Sequence, residues 1–375
     1  MTLPTLYKTT KTGATQVCII STLANCVTTE WGQLNGAMQT KNDIIHEGKN
    51  LGKANATTKV EQAEAEAKSK WAKKVKSGYS ESIEAPTTVQ LPMKVKVWPG
   101  GKLPPKVVLN ADNPLYSTPK LNGVCALYKR DVVDGTLMLI SRGGDLYPPI
   151  PHLEEGIITA MECLGSDELN VEIYKHGEHL QDITGAVKKP RELSASLEAH
   201  IFDIADSDEP YKARRDIMNV KDIMMGGTLA GMGIHFLCGV VVSTTSEIES
   251  HYNQCMASGL EGTVIKHPEA MYEHNVRSNR MWKYKKMKDK EFQVVMHNID
   301  KNGHAVYVCQ TPEGRNFSVK RKGTTEERLA DAAVASSKLS KWLTVYFETY
   351  SKDGIPLKPV GGDFRDCDIH GNPLT

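Results

Sequence analysis

Apolar and polar residues mostly fall into short, strand-like runs along this chain, and in a few places the spacing shifts to three and four. Near the N-terminus, Gln16-Val17-Cys18-Ile19-Ile20 reads as a strand. Between Thr58 and Ser77 the apolar residues Val60, Ala63, Ala67, Trp71 and Val75 recur at helical spacing, which predicts an amphipathic helix with one apolar stripe. Gly78 is a suitable stop. Glu61, Glu64 and Glu66 sit early in this segment and Lys68, Lys70, Lys73, Lys74 and Lys76 late, the order that suits a helix dipole.

These patterns divide the chain. Residues 1–85 read as one small unit. Residues 86–115 read as a linker merging into the next domain, because Pro86, Pro92, Pro99, Pro104, Pro105 and Pro114 break any long helix. From 116 to 287, β-like runs alternate with helical stretches, which predicts an α+β domain. From 288 to 375 strand patterns dominate: Phe292–Met296, Ala305–Cys309 and Phe317–Val319, with one helical stretch near 325–340. That pattern predicts a small β-barrel carrying one helix. The predicted class is α+β and multidomain.

Composition narrows the functional classes. The chain has 375 residues, 40% of them hydrophobic and 24% charged, with a net charge of +1. It is no polycation, so affinity for nucleic acid has to come from local basic faces. Its eight cysteines form no CxxC pair and no disulfide framework, which argues against a zinc site and for a reducing cytoplasm. No signal peptide is evident, and no apolar run approaches the roughly 18 residues of a membrane span.

The chemistry lies in an ordered set of short motifs. Lys120-Leu121-Asn122-Gly123 comes first, and Ser141-Arg142-Gly143 follows, with Arg142 standing 22 residues after Lys120. Glu172 lies in the strand-like Asn170–Tyr174 and Phe202 in His200–Ile204. Glu261-Gly262-Thr263-Val264-Ile265-Lys266 and Met281-Trp282-Lys283-Tyr284-Lys285 complete the set. Each motif alone is unremarkable: Asn-Gly favours a turn, an acidic strand residue is usually solvated, and a lone phenylalanine is usually core. A lysine nucleophile must lose its proton to attack, and nearby cations such as Lys283 and Lys285 are expected to lower its pKa. Two apart on a strand, those lysines face the same way and can reach one phosphate.

The ordered set resembles the motifs of the covalent nucleotidyltransferases, which include ATP-dependent DNA ligases, RNA ligases and mRNA capping enzymes. The resemblance covers about 116–287 well and the C-terminal stretch more weakly. It implies an ATP-grasp-like nucleotidyltransferase (adenylation) domain of antiparallel sheets and helices, followed by an OB-fold barrel. It implies that Lys120 becomes adenylated from ATP, that Lys283 and Lys285 offset charge on the α-phosphate, and that Glu261 holds Mg²⁺ (or Mn²⁺). It also implies that Glu172 meets the ribose or shares the metal, that Arg142 contacts sugar or phosphate, and that Phe202 stacks on adenine. Asn170–Gly177, followed by Leu180-Gln181, resembles a run in small viral DNA ligases, and Lys358–Arg365 the end of the ligase barrel, which makes Arg365 the candidate for the leaving group. The chain departs from the family at two positions: Asn122 stands where the family has aspartate, and Cys125 where it often has arginine.

Glu30-Trp31-Gly32-Gln33-Leu34-Asn35-Gly36 resembles the signature of WGR-type DNA-binding domains, although Gln33 replaces the arginine. The resemblance makes residues 1–85 a small WGR-like α/β module. That segment has eleven lysines, no arginine and eight acidic residues. Trp31, Lys68, Lys70, Lys73 and Lys74 are the candidate DNA contacts there, and Arg277 and Arg280 open a second basic run at the domain junction that continues through Lys283, Lys285, Lys286, Lys288 and Lys290. The expected partner is nicked duplex DNA. The expected protein is a monomer without membrane association, cytoplasmic (in the host cytoplasm if viral) and acting in phage DNA replication or repair. RNA ligase and a non-catalytic nick-binding scaffold are the competing readings.

Overall fold

The N-terminal segment forms an antiparallel meander of four strands, β1 (Leu6–Thr9), β2 (Thr15–Leu23), β3 (Cys26–Gln33) and β4 (Met38–Ile44), backed by helix α1 (Lys59–Lys76). The structure, a computed structural model, describes residues 1–10, 13–83, 90–99, 102–131 and 133–374. Pro86 and the expected boundary between 85 and 86 lie outside the described residues. The α1 ends match the sequence reading. The Thr58 side chain and Glu61 form a reciprocal capping box, and Ser77 and Gly78 end the helix, Gly78 at a φ of 88°. The expected apolar stripe is narrower than its spacing suggested. Ala63 and Ala67 are fully buried and Trp71 packs on the core, but Val60 and Val75 are exposed. Five residues at helical spacing outrun the width of a four-stranded sheet, so only the middle of the stripe finds cover.

The middle of the chain builds two sheets. Its strands and helices are β5 (Lys94–Val97), β6 (Leu115–Lys120), β7 (Val124–Arg130), β8 (Leu137–Ser141), β9 (Leu146–Tyr147), α2 (Pro151–Leu164), β10 (Glu168–Tyr174), α3 (Leu180–Lys188), β11 (Glu198–Ile204), α4 (Tyr211–Gly231), β12 (Ile234–Phe236), β13 (Val240–Val242), α5 (Thr245–Ala257), β14 (Gly262–Lys266) and β15 (Arg277–Tyr284). One sheet runs β12-β11-β10-β7-β8-β9 and the other β13-β6-β14-β15-β5. The sheets are not wholly antiparallel as expected, because β11–β12 and β15–β5 pair in parallel. Strand β5 lies inside the proline-rich stretch read as linker, and is an edge strand of the second sheet.

Helices α2, α3 and α4 cover the first sheet. Leu153, Ile157, Met161, Ile183, Val187, Met218 and Leu229 pack there on Val171, Ile173, Ala199 and Ile201. Pro151 opens α2 where an unpaired N–H would otherwise stand, and Gly165 closes it in a left-handed conformation at φ 64°. Helix α5 covers the second sheet through Ile248, against Leu115, Val242, Ile265 and Trp282.

The last segment is a closed five-stranded barrel of order β16-β17-β18-β20-β19, from β16 (Lys288–Ile299), β17 (Ala305–Gln310), β18 (Asn316–Arg321), β19 (Trp342–Phe347) and β20 (Val360–Arg365). Phe292, Val294, Tyr307, Phe317, Val319, Leu343, Val345 and Phe347 fill it. Helix α6 (Thr325–Ala333) carries a second capping box, Thr324 with Glu327. It is shorter than the helical stretch expected over 325–340, and a 3-10 turn at Ala335–Lys338 follows it.

Candidate active site

Lys120 ends β6 in the second sheet, and Val124 starts β7 in the first. The chain crosses from one sheet to the other through Leu121-Asn122-Gly123. Leu121 is buried in the core, so the crossing is anchored rather than a loose surface turn. Gly123 is required here by close approach. A Cβ at this position would stand 2.5 Å from the Ile173 carbonyl oxygen and 2.8 Å from Glu172 Cγ. The Gly123 N–H donates to Glu172 Oε1 at 3.1 Å, which ties the crossing to β10.

Four sequence-selected residues converge at this crossing. Lys120 Nζ donates to Glu261 Oε2, and Lys285 Nζ donates to Glu261 Oε1 at 2.9 Å. The Glu261 N–H also donates to the Lys120 carbonyl oxygen at 3.0 Å, so both ends of the pair are held by backbone. Lys283 is close enough for Lys285 and Lys120 to act on its charge. Burial first, and then those cations, lowers its pKa.

In this arrangement the Lys120 pKa is raised rather than lowered. Burial pushes the ammonium down, but Glu261 and Glu172 beside it outweigh burial and leave the pKa raised. In this arrangement Lys120 is an ammonium in an ion pair. Glu172 moves the other way: burial raises its carboxyl to about 7, against the pull of Lys120 and the Gly123 N–H. Glu261 remains below its ordinary value, because its two lysines more than offset its burial.

Arg142 is exposed just after β8, and its charge acts on both Glu172 and Cys125. Cys125 pairs in register with Glu172, and burial pushes its thiol up to about 12, so it stays neutral beside the carboxylates. Phe202 is half-buried on β11. Arg365 is not part of this group: it is exposed on β20, with its guanidinium 3.6 Å from Glu291 within the barrel.

Three supporting groups escaped the sequence reading. Lys266 is 2% exposed and donates to the Phe202 carbonyl oxygen at 2.8 Å, with Nζ 4.3 Å from the Tyr211 ring centroid. Burial, opposed by Asp203, lowers its pKa to about 8. Asp203 in turn pairs with Arg214 at 2.7 Å, and Arg214 has no exposed surface. Glu348, just after β19, accepts from Lys285 at 2.6 Å and from Lys358 at 2.7 Å, bridging barrel and sheet. Asp203 and Lys266 adjoin or close motifs already noted, but nothing local signals their burial. Glu348 lies outside every motif, ten residues before Lys358.

The basic candidates are more occupied than their sequence suggests. Lys70 pairs with Asp43 at 2.5 Å, Lys74 lies 4.8 Å from the Tyr79 ring centroid, and Lys76 pairs with Asp145 of the central region. Lys68 and Lys73 are exposed, and Trp31 is half-buried against the N-terminal core. Arg277 and Arg280 are exposed, and each donates to a backbone carbonyl, Val95 and Glu269 respectively.

Known proteins share both fold and sequence with this chain. Residues 111–285 match the ATP dependent DNA ligase domain family. A DNA ligase of African swine fever virus, from a Namibian warthog isolate, is 28% identical over 342 residues, covering 86% of this chain and 79% of the relative. The enzyme of a Malawian tick isolate is 28% identical over 349 residues, covering 87% and 80%. Among solved structures, a Lig E DNA ligase superposes with a TM-score of 0.56 at 19% identity, covering 73% of this chain and 99% of that one. The two sheets that meet at Lys120 and Glu261 share their fold with a solved DNA ligase. Residues 111–285 carry the ATP dependent DNA ligase domain, and the viral DNA ligases are similar over most of the chain.

Proposed function

We propose that this ligase seals 3′-hydroxyl/5′-phosphate nicks in duplex DNA with Lys120 as its nucleophile. The observation that carries the proposal is the placement of Lys120 and Lys285 on the two oxygens of one carboxylate, Glu261, at the crossing between the sheets. Lys120 Nζ attacks the α-phosphorus of ATP, the bond to the β-phosphate oxygen breaks and pyrophosphate leaves. The lysyl-bound AMP passes to the 5′-phosphate of a nick, freeing Lys120. The 3′-hydroxyl then attacks that phosphate and expels AMP. Lys283 and Lys285 offset negative charge at the α-phosphate, Glu172 meets the ribose, Phe202 stacks on adenine and Arg142 contacts sugar or phosphate. Because Lys120 rests as an ammonium on Glu261, this ion pair has to break before attack.

Glu261 and Glu172 are hard oxygen donors converging on Lys120, a set that suits Mg²⁺ or Mn²⁺. Such an ion, when bound, supplies positive charge against the phosphate oxygens. The domain division proposed is 1–85, 86–115, 116–287 (adenylation) and 288–375. The closed barrel is read as an OB-fold whose Arg365 meets the leaving group once the barrel shifts, and the N-terminal unit as a WGR-like DNA-binding module. Trp31, Lys68, Lys70, Lys73 and Lys74 are that module's proposed DNA contacts, Arg277 and Arg280 are further DNA contacts at the domain junction, and the protein acts as a monomer.

Sealing of a nicked DNA duplex beside matched RNA substrates tests the reading. DNA sealing in excess of RNA supports it. RNA sealing alone would make the chain an RNA ligase, and nick binding without sealing would make it a scaffold. Lys120→Ala should lose sealing from ATP yet keep part of its sealing of a pre-adenylated nick.

A further inference from the structure

Strand β11 places Glu198 and His200 on one face by alternation, before the bulge at Phe202. Its parallel neighbour β12 brings His235 into register with His200. The two imidazoles stack with centroids 4.7 Å apart at 20° between planes. Glu198 Oε2 lies 3.3 Å from His200 Nε2 and 3.9 Å from His235 Nε2. One ligating atom from each of the three residues falls within 4.8 Å of the other two, the closest such His/Cys/Asp/Glu grouping among the described residues. Donors about 2.1 Å from a tetrahedral ion sit roughly 3.4 Å apart, so these separations close onto one ion with small side-chain movements.

We propose that Glu198, His200 and His235 bind one divalent transition-metal ion of the zinc class. Two imidazoles and a carboxylate make a donor set for Zn²⁺ or Co²⁺, whereas Mg²⁺ selects oxygen alone. Other features of the geometry favour an ion over a plain hydrogen-bonded cluster. Two stacked imidazoles against a single carboxylate cannot both protonate cheaply, yet both turn the same nitrogen toward Glu198. Lys175 Nζ holds the other Glu198 oxygen at 2.8 Å, orienting the carboxylate while leaving Oε2 to face the histidines. Three protein ligands leave a coordination position open. His200 pairs in register with Glu172, so the ion lies on the Glu172 side of the sheet without sharing the Glu261 carboxylate. The cluster is invisible to a spacing motif, because His235 lies on a different strand, far from Glu198 and His200 in sequence.

The test uses the full chain, freed of metal by chelator and desalting, and titrated with Co²⁺ in excess Mg²⁺. The expected result is visible d–d absorption saturating at one Co²⁺ per chain, displaced by Zn²⁺ but not by Mg²⁺. His235→Ala, on a short edge strand and half-exposed, should weaken binding at least about tenfold with unchanged circular dichroism, and Glu261→Gln should leave it intact. His200→Ala should abolish binding, and if that variant fails to fold, His235→Ala decides the matter. Absence of the absorption at stoichiometric protein, displacement by Mg²⁺, or equal affinity in folded His235→Ala overturns the proposal.

Discussion

Replacing Glu172 with glutamine should stabilise this enzyme, and only at neutral to alkaline pH. Burial raises the Glu172 carboxyl from an ordinary 4.5 to about 7. A carboxyl raised on folding binds more protons in the native state than in the unfolded one between those values, so native stability falls as pH rises from 4.5 toward 7. Above that window the ionised form costs about 3 kcal/mol, and near pH 5 about 1 kcal/mol or less remains. Glutamine keeps an oxygen to accept from the Gly123 N–H and removes the charge. For a domain of this size about 3 kcal/mol corresponds to roughly 6–10 °C in melting temperature. Calorimetry of both proteins at about pH 5 and pH 8 checks the reasoning. A gain at pH 8 that nearly vanishes at pH 5 is expected. An equal gain at both pH values, or a loss at pH 8, would refute the burial argument and show that Lys120 holds the carboxylate ionised.

Further outcomes follow from the same geometry. Gly123→Ala should cost about 1–3 kcal/mol and slow adenylation sharply, because its Cβ meets the Ile173 carbonyl oxygen at 2.5 Å; thermal melting and ATP labelling read the two effects. Because Glu261 and Glu172 hold the Lys120 pKa above its ordinary value, the adenylation rate should climb with pH from about 7 to 9; a flat profile would mean that the ion pair does not limit attack. Lys266→Met, which keeps the volume and removes a buried ammonium from the Phe202 carbonyl oxygen, should raise KM for ATP more than it lowers kcat. Deleting residues 1–85 should weaken nick binding and flatten its salt dependence; unchanged affinity by filter binding would remove that unit from the DNA interface.

Much of this was legible locally. Helix α1 announces itself through Thr58, Glu61 and Gly78, because capping is a contact within four residues. The barrel strands show in their alternation, and Lys120, Glu172, Glu261 and Lys285 in their ordered motifs. What stayed hidden depends on tertiary burial. The exposure of Val60 and Val75 follows from how wide a sheet α1 covers. The pKa of Lys120 turns on which charge comes nearest: spacing pointed to Lys283 and Lys285, but folding puts Glu261 closer. The parallel pairing of β11 with β12, which brings His235 to His200, comes from a crossover through α4 that no short-range pattern specifies.

The most direct test of the central claim is covalent labelling. Protein freed of bound AMP is incubated with α-labelled ATP and Mg²⁺, denatured, separated by electrophoresis and mapped by peptide. A single labelled peptide bearing Lys120 is expected, with no label in Lys120→Arg. Label on another lysine, or none from ATP in a folded protein, would contradict it.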